Sequence, residues 1–348
     1  MQMTTTAQTP RRAGRRATRV LAVGALLVLA LPLLGCGPEL GPLAKLASID
    51  TPKLPETSDP SVVRVDRDYY VYGSNNDRRA PITITRDLTR VYSLEAKNAI
   101  TREGMPTKPA WAAQSMQMWA PTVGRFANGR WIMYFSADRT GAPDRNNPQC
   151  IGRAFATSPA GPFSPEAAPL YCGGVNGTRG ALDPELFTDP SGVTWLLVAL
   201  GNTETPLHTI RLYSNGDMNG QPVPLLTRQH PWEYHFIEQP AMVYDWSRRN
   251  YLLTYSAGRW WESAYSIGIA RCSTPTGPCT SDPSGPWVAS SNGRSGPGAL
   301  SFFTDTSGTT QGIFSSFQAG WETQVGGRSA SIMPLSIEPS VGLGTVTK

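Results

Sequence analysis

Two Asp-Pro pairs and one Glu-x-Pro stand at matching places in a repeated phrase of the chain: Asp59-Pro60, Asp183-Pro184 and Glu238-Gln239-Pro240. Each opens a strand-like stretch: DPSVVRVDRDYYVYGS, DPELFTDPSGVTWLLVAL and QPAMVYDWSRRNYLLTYSAG. A lone Asp-Pro is more often a turn cap at a strand entry; recurrence in register shifts the balance toward chemistry. Three carboxylates gathered in one pocket suit cleavage of a glycosidic bond. One carboxylic acid protonates the leaving oxygen, while a carboxylate on the opposite face activates water or attacks directly. A third acid nearby raises the pKa of the proton donor by like-charge repulsion.

Such residues can meet only if the units that carry them surround one axis. Two further segments share the pattern, APTVGRFANGRWIMYFSA from Ala120 and the weaker GALSFFTDTSGTTQGIFSSF from Gly298. Counted from Pro60, the equivalent prolines are Pro121, Pro184 and Pro240, and Ala299 takes the fifth register position. A near-constant period marks a repeat architecture. Each unit reads as a β-hairpin, with Asn128-Gly129, Pro190-Ser191-Gly192 or Ser307-Gly308 at the reversal. A hairpin alone cannot bury both faces, and a period of roughly 60 residues leaves room for two more strands. Four strands repeated radially make a propeller blade, so the expected fold is an all-β, five-bladed β-propeller. A β-sandwich is the rival, but it does not require the period. The phrases ATSPAGPF (156–163) and CSTPTGP (272–278) add a second echo and predict equivalent outer turns.

The abundance of Gly and Pro, 34 and 31 residues of 348, fits a turn-rich β fold. The first segment has the form of an export signal. Five arginines between Arg11 and Arg19 precede an apolar run from Val20 to Leu34, then Gly35-Cys36. Leu33-Leu34-Gly35-Cys36 resembles a bacterial lipobox in which Cys36 is acylated; the arginine pairs are also compatible with twin-arginine export. These five arginines account for the whole formal charge of +5, so the charge gives no argument for nucleic acid. The expected organisation is 1–36 signal, 37–58 linker, 59–337 propeller and 338–348 tail. The expected location is extracellular or at the cell surface, with membrane contact through the lipid alone and a monomeric state. Removing Cys36 leaves Cys150, Cys172, Cys272 and Cys279, an even number in an oxidising compartment. Sequence neighbourhood suggests Cys150–Cys172 and Cys272–Cys279, with the other pairings open. Zinc is not expected, with three His and no paired C-x-x-C. His230 and His235 do not form H-E-x-x-H, and neither a G-x-S-x-G elbow nor a phosphate loop occurs. Glu233 is a rival acid, but it lacks the register and the following Pro.

The motifs together resemble glycoside hydrolase family 43. Asp59-Pro60-Ser61 is similar to the family's D-P-[ST] motif, Trp119-Ala120-Pro121 to its W-A-P, and Leu182-Asp183-Pro184-Glu185-Leu186-Phe187 with Asp189 and Gly192 to its I-D-P-x-x-F-x-D-x-x-G. Glu238-Gln239-Pro240 resembles E-[GA]-P, and the order along the chain is the family's. The resemblance implies Asp59 as general base, Glu238 as general acid and Asp183 as the residue that tunes and orients Glu238, in a single displacement with inversion. It also implies that Arg328 lies near the substrate, a surface salt bridge being the alternative. Three positions depart from the pattern. Thr122 stands where Asp is usual, Ala299 follows Gly296-Pro297-Gly298 where His is frequent, and Gln239 replaces a Gly or Ala. No cofactor is expected, and Ala299 puts the axial calcium ion of the family in doubt. Trp119 is expected either to stack on a sugar or to pack a blade; Trp260-Trp261 either to line a groove or to fill a loop.

The function expected from this resemblance is cleavage of arabinose- or xylose-containing polysaccharides, in the manner of α-L-arabinofuranosidases and arabinanases. The alternative is a carbohydrate-binding lipoprotein without turnover, separable by mutating Asp59 or Glu238.

Overall fold

The computed structural model describes residues 57–74, 80–88, 100–113, 118–142, 148–173, 180–201, 207–320, 322, 327–335 and 345–346. The signal segment with Cys36, the linker up to residue 56 and most of the tail lie outside the described residues. Within the tail, Thr345–Val346 pairs in parallel with the first strand.

Five antiparallel sheets follow one another along the chain. The first contains β1 (Ser58–Val65), β2 (Asp68–Ser74), β3 (Pro81–Thr85) and β4 (Ile100–Glu103). The second contains β5 (Trp119–Arg125), β6 (Trp131–Asp138), β7 (Gln149–Ala156) and β8 (Ser164–Pro165). The third is β9 (Ala181–Thr188), β10 (Thr194–Leu200), β11 (Leu207–Arg211) and β12 (Val223–Leu226). The fourth is β13 (Ile237–Asp245), β14 (Asn250–Ala257), β15 (Ser266–Cys272) and β16 (Cys279–Ser281). The fifth, β17 (Arg294–Thr304), β18 (Thr310–Gln318) and β19 (Arg328–Pro334), has three strands among the described residues. Each sheet is one blade of a propeller.

Second strands are apolar on both faces because each blade packs on two neighbours. In β6, Trp131, Met133 and Phe135 belong to the cluster shared with the first blade, and Ile132 and Tyr134 to that shared with the third. This is the period-2 alternation of a strand with both faces buried. The ring closes by packing of the first blade on the fifth: Val62, Tyr69 and Val71 meet Phe303, Ile313 and Ala330. Arg64 also donates to the carbonyl of Thr304 at 3.0 Å. Both expected disulfides are present. Cys150–Cys172 ties β7 to the segment that follows β8, and Cys272–Cys279 joins β15 to β16. The two echoed phrases make corresponding turns, with Gly161 N–H bonded to Ser158 O and Gly277 N–H to Thr274 O.

Every first strand carries the same irregularity. The pairing register shifts between Ser58 and Ser61, Trp119 and Thr122, Leu182 and Glu185, Glu238 and Ala241, and Gly298 and Ser301. Within each shift one non-glycine residue has positive φ: Asp59 (46°), Ala120 (46°), Asp183 (54°), Gln239 (51°) and Ala299 (56°). The fifth unit is therefore displaced by one from the sequence alignment. Ala299 matches Asp59, and Leu300 holds the place of the prolines. A bulge re-aims a side chain at a sheet edge, and a left-handed backbone at an L-residue persists only where the surroundings over-determine it. Five such bulges around one axis turn five side chains toward its mouth.

Candidate active site

The axial cavity at this mouth has a volume of about 30 Å³ and is lined by Asp59, Ala120, Asp183, Gln239 and Ala299, with the residues that follow each. Space of that size holds roughly one water. Backbone seams fix the ring. Ser74 on β2 accepts the N–H of Ala120, Ser136 on β6 that of Asp183, and Ser256 on β14 that of Ala299, at 2.8–2.9 Å. The matching position of the third blade is Ala199, paired with Leu182. It has no hydroxyl, and the N–H of Gln239 turns instead to Asp183 Oδ2 at 3.2 Å.

Asp59 is held from two sides: Ser74 Oγ donates to Oδ2, and Gln239 Nε2 donates to Oδ1. Glu238 stands one residue before the positive-φ position, where Trp119 stands in the second blade. Its Oε1 accepts from Tyr265 OH at 2.6 Å. Asp183 is 7% exposed, and its carboxyl is raised well above the ordinary Asp range by burial first, then by the charges of Glu238 and Asp59. Burial also raises Glu238, to about 7; Asp59 adds to the rise, while the Tyr265 hydrogen bond and the charge of Arg328 oppose it. The three acids from blades one, three and four thus feel one another in a low-dielectric pocket.

Arg328 on β19 is buried, 6% exposed, and is not a surface salt bridge. Its guanidinium donates to Ser315 Oγ, the carbonyls of Ser315 and Gly296, and the carbonyl of Trp260. It lies over the rings of Phe317 and Tyr265 at 4.7 and 5.5 Å. Its charge acts on Asp59 and Glu238, and its bond to Trp260 braces the β14–β15 loop. In that loop Trp260 and Trp261 are 45% and 40% exposed and meet edge to face. The loop leaves β14 at Ala257, paired with Ile237, the residue before Glu238. Trp119, at the start of β5, is partly exposed on the same ring. Glu233 is excluded from the pocket. It is fully buried and accepts the N–H groups of Gln229 and His230 and the hydroxyl of Tyr255. His230 faces Ser281.

Sequence reasoning missed Tyr265, which follows the tryptophan loop and carries no motif. Gly298 explains its position: the Tyr265 ring occupies the space a Cβ at residue 298 would need. The seam serines left a signal in the sequence, since Ser74, Ser136 and Ser256 stand near the end of the second strand of three repeats. Glu185 was also missed as a functional group. It lies further down the axis, bonded to Ser301 Oγ at 2.6 Å and to Thr122, and burial raises it to about 7. The donor set for a calcium ion here is thin: Ala120 and Ala299 offer no ligand, Glu185 is the single carboxylate beside Ser301 and Thr122, and no cluster of three or more potential ligand residues occurs among the described residues. Calcium ordinarily takes six to eight oxygens, several from carboxylates, so these side chains do not fit it.

The family model for glycosyl hydrolases family 43 matches residues 51–340. The chain belongs to this family. An extracellular endo-alpha-(1->5)-L-arabinanase of Thermotoga petrophila is 27% identical to this family 43 protein over 246 residues, covering 63% of the chain and 50% of the relative. The chain thus spans about half the length of that relative. Among solved structures, a thermostable family-43 glycoside hydrolase superposes with a TM-score of 0.69 at 22% identity, covering 83% of this chain and 92% of the other. An alpha-L-arabinofuranosidase from Lactobacillus brevis gives 0.68 at 18% identity, covering 84% and 95%. At these identities the superpositions establish the shared five-bladed propeller. The family 43 motifs fall at the bulges of the first strands, so the motif spacing and the ring geometry describe one feature.

Proposed function

We propose that this family 43 protein is an inverting glycoside hydrolase acting on arabinose- or xylose-containing polysaccharides, with α-L-arabinofuranosidic linkages as the first candidates. The carrying observation is that the carboxyls of Asp59, Asp183 and Glu238, from three blades, act on one another electrostatically in buried surroundings. Glu238, held up to about 7, is a protonated acid at mildly acidic pH and gives its proton to the departing glycosidic oxygen. Asp59, as the carboxylate, takes a proton from the water that attacks the anomeric carbon from the opposite face. The bond to the leaving oxygen breaks as the bond to water forms, and the anomeric configuration inverts. Asp183 holds the backbone beside Glu238 through the Gln239 N–H, and burial with the charges of Glu238 and Asp59 favours its protonated form. Trp260, Trp261 and Trp119 give apolar faces for sugar rings at the rim.

The choice of arabinose rests on the names of the relatives, including the endo-arabinanase of Thermotoga petrophila. Export followed by acylation of Cys36 would hold the monomer at the cell surface; Cys36→Ser would release it to the medium. The deciding experiment is incubation of the purified protein with arabinan, arabinoxylan and xylan, with anomeric NMR of the released sugars. Asp59→Ala and Glu238→Ala must each lose at least about a hundredfold in kcat if both carboxylates act in acid–base catalysis. Saccharide binding without release in the wild-type protein would favour a non-hydrolytic binder instead.

A further inference from the structure

Gln239 stands where the family pattern has Gly or Ala, and its side chain is not idle. Its Oε1 accepts from Ser256 Oγ at 2.8 Å and lies 2.8 Å from Tyr265 OH; its Nε2 donates to Asp59 Oδ1. The amide orientation is fixed by its neighbours. The Asp59 carboxylate can only accept, so the NH₂ faces it and Oε1 faces the hydroxyls of Ser256 and Tyr265, which also contact each other. Tyr265 OH is within hydrogen-bond distance of two acceptors, Gln239 Oε1 and Glu238 Oε1. A phenol has one proton. Burial and the charge of Glu238 hold Tyr265 well above the ordinary tyrosine range, so that proton stays in place. When Glu238 is ionised, Tyr265 donates to it. When Glu238 is protonated, its O–H can donate to the Tyr265 oxygen, and the phenol proton turns to Gln239.

We propose that Gln239 is a positioning residue that links the proton donor to the water-activating carboxylate, accepting the Tyr265 proton when Glu238 is protonated and holding Asp59 through its NH₂. The inference rests on the roles of Asp59 and Glu238 proposed above. With Glu238 protonated and no sugar bound, the donors run in one direction, Glu238 to Tyr265 to Gln239 to Asp59; with a sugar bound the Glu238 proton faces the glycosidic oxygen while Tyr265 still donates to Gln239. The other charged groups facing Glu238 are Asp59 on β1, Asp183 on β9 and Arg328 on β19. Of these, Asp59 loses its Gln239 donor in Gln239→Met; a shift that arose through Asp59 would persist in the Tyr265→Phe background, which the double variant tests.

The link makes two substitutions act with opposite sign. Gln239→Met keeps the volume but removes the acceptor, so Tyr265 donates to Glu238 alone and favours its ionised form. The alkaline limb of the kcat/KM–pH profile should then fall by about one pH unit, and kcat by about tenfold, the scale of one hydrogen bond to a charged group. Tyr265→Phe removes the donor to ionised Glu238, and the limb should rise by a similar amount. In the double variant, Gln239→Met should add no further shift to that of Tyr265→Phe. The measurement uses the full chain and whichever polysaccharide the wild type cleaves, with thermal unfolding as the folding control. An unmoved limb in Gln239→Met, or equal shifts with and without Tyr265, overturns the link. Should Gln239→Met fold poorly, Tyr265→Phe decides alone, and a limb that stays or falls overturns it. Loss of activity in Asp59→Ala and Glu238→Ala tests the underlying reading separately. If those variants stay active, it is the reading that fails.

Discussion

Asp183 accepts the backbone N–H of Gln239 at 3.2 Å across the seam between the third and fourth blades, where three other seams use a serine hydroxyl. One side chain thus serves as a structural acceptor and as an ionisable carboxyl that responds to Glu238 and Asp59. Asp183→Asn keeps an acceptor oxygen and removes the ionisable carboxyl, whereas Asp183→Ala removes both. Asp183→Asn should therefore keep the wild-type melting temperature within a few degrees and lose activity. Asp183→Ala should lose activity and also about 1–3 kcal/mol of stability, the cost of an unpaired buried N–H. Thermal unfolding of the two variants separates the roles.

Activity should fall as pH rises through about 7, because Glu238 must be protonated to act and burial sets its pKa there. A kcat/KM profile flat from pH 6 to 9 would exclude Glu238 as the proton donor.

Glu185 predicts a pH effect on stability distinct from catalysis. Its pKa rises from 4.5 to about 7 on folding, mainly by burial. The folded state therefore binds its proton more tightly, and this contribution is fully present below about 4.5 and lost as pH rises through 7. Glu185→Gln should flatten the decline in melting temperature across that window, with a difference on the order of 2–3 kcal/mol at its upper end. An unchanged slope would show that the axial carboxyl does not titrate there.

Trp260 is exposed and its loop is braced through its own carbonyl. Trp260→Ala should raise KM for polymeric substrate severalfold, leave kcat within about twofold and change stability by less than about 0.5 kcal/mol. Equal losses on a short aryl glycoside and on polymer would argue against a rim subsite.

The two disulfides close loops of unequal length, 22 and 7 residues apart in sequence. Removing Cys150–Cys172 should cost about 3 kcal/mol and more than removing Cys272–Cys279, if loop closure dominates. Denaturant unfolding of the two double-serine variants gives the comparison.

The sequence by itself determined the repeat, the five blades and the register that brings Asp59, Asp183 and Glu238 to one axis. Those features arise from local alternation and from a period that any ring must reproduce. It also held both disulfide pairings, whose partners are neighbours along the chain. Tertiary structure decided what each acid touches. The bulge that sets Ala299 rather than Gly298 in the place matching Asp59 is a backbone event with no residue signature. Tyr265 reaches Glu238 only because its ring fits over Gly298, Arg328 is buried rather than exposed, and Gln239 spans from Asp59 to Tyr265. Such contacts depend on how loops and blades from distant parts of the chain pack, and strand periodicity carries no information about that packing.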